Sequence, residues 1–213
     1  MRPIRLWIAT LICATVALVP VDGAVARALR PLSTAEFKQL QRAQDRIRSL
    51  ETSNVRGIER ANAVCTHMQP VSRLIGAVRD GCLDLIRLGG DDARLNARAT
   101  KCGINPSSEA AILTCLVPAV QSYYQDAQSF YRAESYVNKL AVARGFDSRC
   151  VAVIGDSAGN IAAEGRLAGA LRSAVQALKN QNPQALQTLS DQIRAAVKAI
   201  RPGPSSLSLC PRR

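Results

Sequence analysis

The sequence has little of what metal and nucleic-acid sites need. It contains one histidine, His67, among 213 residues, and no two cysteines stand at the C-x-x-C spacing. Zinc sites require several such ligands close together, so the sequence does not favour a metal site, and we predict no cofactor. Aromatic residues make up only 4% of the chain and do not alternate with basic residues. We therefore expect no dedicated nucleic-acid surface.

Long hydrophobic runs are also scarce, and the one that exists lies at the start of the chain. Residues 6–19 carry no charge, follow two arginines, and precede the small residues 24–26. This layout predicts a secretory signal peptide over residues 1–26, cleaved after Ala26, or after Ala28 at a second acceptable site. The run is about 14 residues, whereas a spanning helix needs roughly 20. We expect a secreted, periplasmic or cell-envelope protein without a transmembrane segment after signal removal.

Export determines how the cysteines are interpreted. Removal of the signal peptide removes Cys13 and leaves an even set of six: Cys65, Cys82, Cys102, Cys115, Cys150 and Cys210. In an oxidising compartment an even set predicts disulfides, here up to three. Six cysteines allow 15 pairings, and spacing does not choose among them. Cys210 lies in the Pro- and Gly-containing tail, 201–213, so a bridge from Cys210 would tie an extended tail to the body.

The chain is strongly basic, with 28 basic and 16 acidic residues and a net charge of +12. One interpretation is a basic face for an anionic partner, such as anionic lipid or an envelope polymer. The other is a GC-rich genome, which favours arginine codons, together with solvated helix faces. The candidate anionic-surface residues are Arg42, Arg46 and Arg48 near the start, and Arg194, Lys198 and Arg201 near the end.

Apolar residues recur at helical spacing along the whole mature chain, with almost no strand alternation. We predict an all-α, single-domain bundle of five or six helices over residues 27–200, held by up to three disulfides. A capping box at Ser33–Glu36 begins the first helix, and Asn182 followed by Pro183 predicts a cap and a first-turn proline for the last helix. The expected helices are 33–52, 58–68, 71–88, 107–144, 157–180 and 183–200. Gly89-Gly90 should stop the third helix, and a loop or short helical piece should follow over 91–106. The fourth helix should be kinked or broken near 114–117, ahead of Pro118.

One short string has a catalytic appearance. The residues Gly-Asp-Ser-Ala-Gly at 155–159, after the β-branched run 151–154, resemble the nucleophile elbow of serine esterases in the hormone-sensitive-lipase-like branch of the α/β-hydrolase fold. The resemblance implies a serine hydrolase with Ser157 as nucleophile on a strand–turn–helix. That mechanism needs a histidine after the serine, and none follows. We therefore expect a turn in which Asp156 or Ser157 caps a helix, in a non-catalytic binding or structural protein of the cell envelope or exterior; the serine hydrolase is the alternative. A strand over 151–154 would favour the esterase.

Three weaker patterns have ordinary structural explanations. His67 and Met68 are neighbours on a helix and point in different directions, so a hydrogen-bonded structural histidine is favoured over a metal ligand. Four aspartates near Gly89-Gly90 lack the spacing of a calcium loop. Five of the seven mature-chain aromatics lie between residues 123 and 136. These aromatics predict a core layer more readily than a ligand pocket.

Overall fold

The computed structural model describes residues 30–50, 55–104, 107–201 and 206–212. The predicted signal peptide, residues 1–26, lies outside these residues. The described residues contain no strand, only an isolated bridge between Leu32 and Arg212. The elements are α1 (Thr34–Leu50), α2 (Val55–Thr66), α3 (Arg73–Gly103), α4 (Glu109–Ala143), α5 (Ser148–Ile154), α6 (Ala158–Lys179), α7 (Pro183–Ala199) and a 3-10 turn (Leu207–Leu209). The all-α class is confirmed, and the described residues contain seven α-helices where the pattern predicts five or six.

Polar side chains fix where most of these helices begin. Ser33 and Glu36 form the predicted capping box: the Ser33 N–H donates to Glu36 Oε2 at 3.0 Å, and the Glu36 N–H donates to Ser33 Oγ at 3.3 Å. The predicted cap Asn182, followed by Pro183 in the first turn of α7, is also confirmed. The other N-caps are Ser72 for α3, Ser108 for α4, Asp147 for α5 and Ser157 for α6. Each cap satisfies a backbone N–H that has no partner within its helix.

The predicted end of the third helix at Gly89-Gly90 is wrong, as is the loop or separate short helical piece predicted from residue 91 onward; residues 105–106 of that prediction lie outside the described residues. α3 continues through both glycines to Gly103. Each glycine costs roughly 1 kcal/mol in a helix interior, but packing decides helix length more than propensity does. α3 lies along α4, and its buried Asp91 accepts a hydrogen bond from Ser122 of α4 at 3.0 Å.

Of the kink or break predicted ahead of Pro118, the break is wrong, whereas the kink stays a prediction. α4 is assigned as one helix of 35 residues with Pro118 inside it. A proline removes a single backbone hydrogen bond, and its cost is about 3 kcal/mol. α4 compensates for this cost because it is the central helix, packed against α3, α5 and α6.

The buried apolar side chains form two clusters along α4. The first cluster gathers α1, the start of α3, the end of α4 and α5 around side chains such as Leu40, Ile75 and Val137. The second gathers α4, α6 and α7 around Tyr123, Leu167 and Leu171. The chain termini of the described region meet beside the first cluster, where the Leu32 N–H donates to the Pro211 carbonyl at 2.8 Å.

Three disulfides connect the helices in sequence order. Cys65–Cys82 joins α2 to α3, and Cys102–Cys115 joins the end of α3 to α4. Cys150–Cys210 joins α5 to the C-terminal tail across 60 positions. The expected attachment of the tail through Cys210 is therefore present. Each bridge restricts the unfolded chain, a contribution of about 3 to 4 kcal/mol for loops of these lengths.

Candidate functional site

A buried ion pair organises one end of the bundle. Arg144, which follows α4, donates from Nη1 to Glu36 Oε1 at 2.5 Å and from Nη2 to Glu36 Oε2 at 2.8 Å. Ser72 Oγ also donates to Glu36 Oε1, at 2.7 Å. The hydrogen bonds from Arg144, more than those from Ser33 and Ser72, lower the pKa of Glu36 to about 2 despite its burial. Glu36 thus joins α1, the start of α3 and the end of α4.

A basic pocket opens beside this ion pair. It is a cavity of about 440 Å³ lined by three arginines, Arg30, Arg73 and Arg144, together with Ser33 and Ser72. Its apolar walls are Pro31, Leu74, Leu140 and Ala143. We call this cavity the arginine pocket. It lies where residues 30–33, the first turn of α3 and the end of α4 converge.

The arginine pocket has a net positive charge. Glu36 neutralises Arg144, but Arg30 and Arg73 are exposed and have no ion pair in the part of the chain that the structure describes. Arg73 is also the first residue of α3, where backbone N–H groups lack partners within the helix and carry a partial positive charge. Guanidinium groups and free N–H groups together suit a phosphate or carboxylate. The sequence pattern did not single out Arg30 or Arg73, because neither lies in a run of basic residues.

The basic residues chosen from the sequence lie elsewhere, and on two different groups of helices. Arg42 and Arg46 are exposed on α1, and Arg48 lies in α1 at a position whose side chain is not described. Arg194, Lys198 and Arg201 are exposed along the end of α7, and Arg194 pairs with Asp191 at 2.7 Å. α1 packs mainly against α2 and α3, whereas α7 packs mainly against α6. The two sets therefore remain separate basic faces.

The esterase-like string does not form a nucleophile elbow. Residues 151–154, which the resemblance requires as a strand, belong to helix α5. Ser157 is the N-cap of α6, and its Oγ accepts the Asn160 N–H at 3.2 Å. The capping interpretation of Ser157 is therefore confirmed. An open groove of about 780 Å³ runs beside Ser157, with mainly apolar lining that includes Val142 and Phe146 and no histidine.

The string instead builds the junction between α5 and α6. Asn138 of α4 holds the Asp156 backbone from both sides: its Nδ2 donates to the Asp156 carbonyl at 2.5 Å, and its Oδ1 accepts the Asp156 N–H at 3.1 Å. Asn160 Nδ2 donates to Asp156 Oδ1 at 2.5 Å and to the Arg201 carbonyl at 2.6 Å. The Arg201 N–H returns a bond to Asn160 Oδ1 at 2.9 Å. These bonds connect α4, α6 and the end of α7 through the junction.

The weaker sequence candidates have separate structural surroundings. His67 Nδ1 lies 2.6 Å from the Ala63 carbonyl, one helical turn earlier. Three of the four aspartates each pair with an arginine: Asp80 with Arg79, Asp84 with Arg87 and Asp91 with Arg94. Of the aromatics on α4, Tyr123 is buried in the second cluster, whereas Tyr136 is 48% exposed. The predicted aromatic core layer is therefore only partly formed.

The fold defines the class of this chain as an all-α, disulfide-bonded helical bundle. No protein-family model matches the sequence, and neither a curated protein nor a solved structure matches it. No helix among residues 30–50, 55–104, 107–201 and 206–212 combines the length and the apolar character needed to cross a membrane. Across the same described residues, no group of three acidic, cysteine or histidine side chains is arranged to hold a metal ion.

Proposed function

We propose that this chain is an exported, non-catalytic binding protein that holds anionic groups of an envelope lipid or polymer in the arginine pocket. The observation that carries the proposal is the juxtaposition of Arg30 and Arg73 with the first turn of α3 in one open cavity. A bidentate guanidinium contact is the common way in which proteins hold phosphate or carboxylate. The signal-like leader and the three disulfides support export.

The arginine pocket is a better candidate than the basic face on α7. Arg194 on α7 is already paired with Asp191, and both side chains are about two-thirds exposed, so their attraction for a further charge is screened by solvent. Arg73 has no ion-pair partner among the residues that the structure describes, and it lies at the positive end of a 31-residue helix. An anion in the pocket therefore meets two unpaired guanidinium groups and a helix terminus together.

The test is vesicle sedimentation with the oxidised mature protein. Vesicles of phosphatidylcholine with added phosphatidylglycerol provide the anionic surface, and vesicles of phosphatidylcholine alone provide the neutral reference. A soluble acidic polymer, polyglutamate, forms a second arm, because lipid and polymer present the same charge on different carriers. We expect binding at about 20 mM salt that falls steeply by about 300 mM, because the Debye length shortens over this range.

Charge-reversal variants locate the binding surface. Arg73→Glu should weaken binding about tenfold, since a hydrogen-bonded charge pair contributes about 1.5 kcal/mol or more. Glutamate in a first turn favours the helix, so this variant should stay folded. Arg172→Glu, at an exposed position on α6, makes the same charge change away from the pocket. Lys198→Glu tests the α7 face. An equal loss of binding affinity in all three variants, or binding that does not change with salt concentration, would refute the assignment of the binding site to the arginine pocket.

The same protein provides a second test of the non-catalytic assignment. The Ser157 hydroxyl is engaged by the Asn160 N–H, and α5 stands where an esterase has its strand. We therefore expect no turnover of short-chain p-nitrophenyl esters above the rate of a Ser157→Ala control. Ester hydrolysis by the wild-type protein that disappears in this variant would support a serine hydrolase with Ser157 as nucleophile.

A further inference from the structure

Three carboxyl groups, from Glu134, Asp156 and Glu164, lie close together at the α5–α6 junction. Glu164 of α6 is only 3% exposed, and neither of its carboxylate oxygens has a hydrogen-bond partner. Asp156 lies close enough to exchange a hydrogen bond with Glu164 once one of the two carboxyls carries a proton. Glu134 of α4 is near enough to interact electrostatically with both. An ionised carboxylate can only accept hydrogen bonds. Glu164 and Asp156 therefore cannot bond to each other while both are ionised, and a proton on one of them would supply the missing donor.

The backbone approaches the Glu134 carboxyl closely at two glycines. A methyl group at Gly81 of α3 would lie 2.6 Å from Glu134 Oε1, and one at Gly155 would lie 3.4 Å from Oε2. The Glu134 carboxyl is therefore held between α3 and the junction. Across the described residues, none of the five ion pairs involves Glu134, Asp156 or Glu164.

The charged groups on the surrounding helices do not neutralise the cluster. On α3, the aspartates that flank Gly81 along the helix, Asp80 and Asp84, are paired with Arg79 and Arg87. The basic side chains of the other adjoining elements are all exposed to solvent: Arg132 and Lys139 on α4, Arg149 on α5, Arg166 on α6 and Arg201 after α7. The cluster therefore carries up to three negative charges without a compensating cation.

We infer that Glu134 and Glu164, which lie on either side of Asp156, form a proton-binding switch that holds the α5–α6 junction against α4 when protonated and releases the junction when the protons are lost. The proton on Glu164 is donated in a hydrogen bond to Asp156, whose Oδ1 also accepts from Ser157 N and Asn160 Nδ2. Loss of the protons to solvent leaves adjacent negative charges, one of them on the buried Glu164, that repel one another. Movement of Asp156 then breaks its two bonds to Asn138 and loosens the first turn of α6.

The titration range supports this switch. Burial first, and then the charge of Asp156, raises the pKa of Glu134 to about 8. Burial, followed by the interactions with Asp156 and Glu134, raises the pKa of Glu164 to about 9. In the unfolded chain the pKa of both groups is near 4.5. The folded protein therefore binds extra protons between about pH 4.5 and pH 8 to 9. The contribution of this cluster to stability is therefore fully present below about pH 4.5 and is lost as pH rises toward 8 to 9.

Urea unfolding of the oxidised mature protein across pH tests the switch. Asp126, whose pKa is raised to about 6 by burial and by Asp91, also contributes below that value, so measurements from about pH 6.5 to 7.5 isolate the cluster. Because the folded state binds two more protons than the unfolded state, each unit rise in pH increases the unfolding equilibrium constant by up to about a hundredfold. Glu164→Gln should reduce this dependence to about tenfold, because glutamine mimics the protonated carboxyl.

Matched variants make the outcome decisive. Glu134→Gln should reduce the slope independently, and the double variant should flatten it. Glu109→Gln changes an exposed carboxylate at the start of the same helix, α4, and should keep the wild-type slope. Hydrogen exchange of the first turn of α6 should accelerate with pH beyond the intrinsic rate, and this excess should vanish in Glu164→Gln. A flat wild-type profile, or equal slopes in wild type and the double variant, would overturn the switch.

Discussion

Arg144 and Glu36 lie 108 positions apart in the sequence, and two parallel hydrogen bonds join their side chains at the end of the bundle. Glu36 is almost fully buried, and Arg144 is about one-fifth exposed. The pair therefore fixes the start of α1 to the end of α4. It also leaves Arg144 neutralised, so Arg30 and Arg73 supply the positive charge of the arginine pocket.

The Glu36–Arg144 pair predicts acid sensitivity. The folded pKa of Glu36 is about 2 and its ordinary value is 4.5, so the pair adds stability above about pH 5 that is lost as pH falls toward 2. The shift corresponds to about 3 kcal/mol. Urea unfolding between about pH 5.5 and 2.5 measures this loss. The carboxyl cluster at Glu164 binds extra protons only above about pH 4, where it raises stability as pH falls, so the part of this range below about pH 4 isolates the Glu36–Arg144 pair.

An arginine variant separates this pair from general acid effects. Arg144→Met should remove most of the loss of stability below pH 4.5 and should destabilise the protein by about 3 kcal/mol at neutral pH, since it leaves a buried carboxylate unpaired. Arg79→Met removes the partner of Asp80, which is 60% exposed, and should cost less than about 1 kcal/mol. An unchanged acid profile in Arg144→Met would contradict the assignment.

Cys150–Cys210 should be the most stabilising of the three bridges. It closes a loop of 60 positions, whereas Cys102–Cys115 closes one of 13. Chain-entropy arguments give about 4 kcal/mol for the long loop and about 3 kcal/mol for the short one. Paired serine substitutions, made one bridge at a time and compared by urea unfolding, should give this order. A larger loss on removal of Cys102–Cys115 would show that native packing, and not loop length, sets the ranking.

Ser157 should behave as a helix cap. Ser157→Ala should cost about 1 kcal/mol, similar to Ser108→Ala at the cap of α4, because each serine accepts one N–H at the start of its helix. Fluorophosphonate probes should label neither the wild-type protein nor the variant. Covalent labelling that is lost in Ser157→Ala but retained in Ser108→Ala would reverse this assignment.

Gly155 should not tolerate a side chain. A methyl group there would lie 2.8 Å from Val137 Cγ1 and would overlap Asn138 Oδ1, which holds the α5–α6 junction. Gly155→Ala should therefore destabilise the protein by about 1 to 3 kcal/mol. Gly169→Ala is the matched control, because nothing lies within 4 Å of its added methyl group and alanine favours a helix by up to about 1 kcal/mol. Thermal unfolding should shift in opposite directions for the two variants.

Local chemistry made part of this fold predictable. The capping box depends on Ser33 and Glu36, three positions apart, and the start of α7 depends on the neighbours Asn182 and Pro183, so both are visible in the sequence. The end of α3 was not predictable, because Gly89-Gly90 weakens a helix locally while α4 stabilises it from outside. The resemblance at 155–159 failed for a similar reason. Asp, Ser and Gly favour a tight turn before a helix whether a strand or a helix precedes it.

The candidate sites depend on long-range contacts that one sequence does not reveal. Arg30 and Arg73 reach one cavity only because the segment before α1 lies beside the first turn of α3. Glu134 and Glu164 lie 30 positions apart and are brought together by the packing of α4 against α6. Neither pair has a spacing that distinguishes it from ordinary charged residues on helix surfaces.

The most direct measurement is a non-reducing peptide map, by mass spectrometry, of the protein recovered from its native host. We predict that no peptide from residues 1–26 is present and that three cross-linked peptides are found: Cys65 with Cys82, Cys102 with Cys115, and Cys150 with Cys210. Six free thiols on a chain that still carries residues 1–26 would contradict an exported, disulfide-bonded helical bundle.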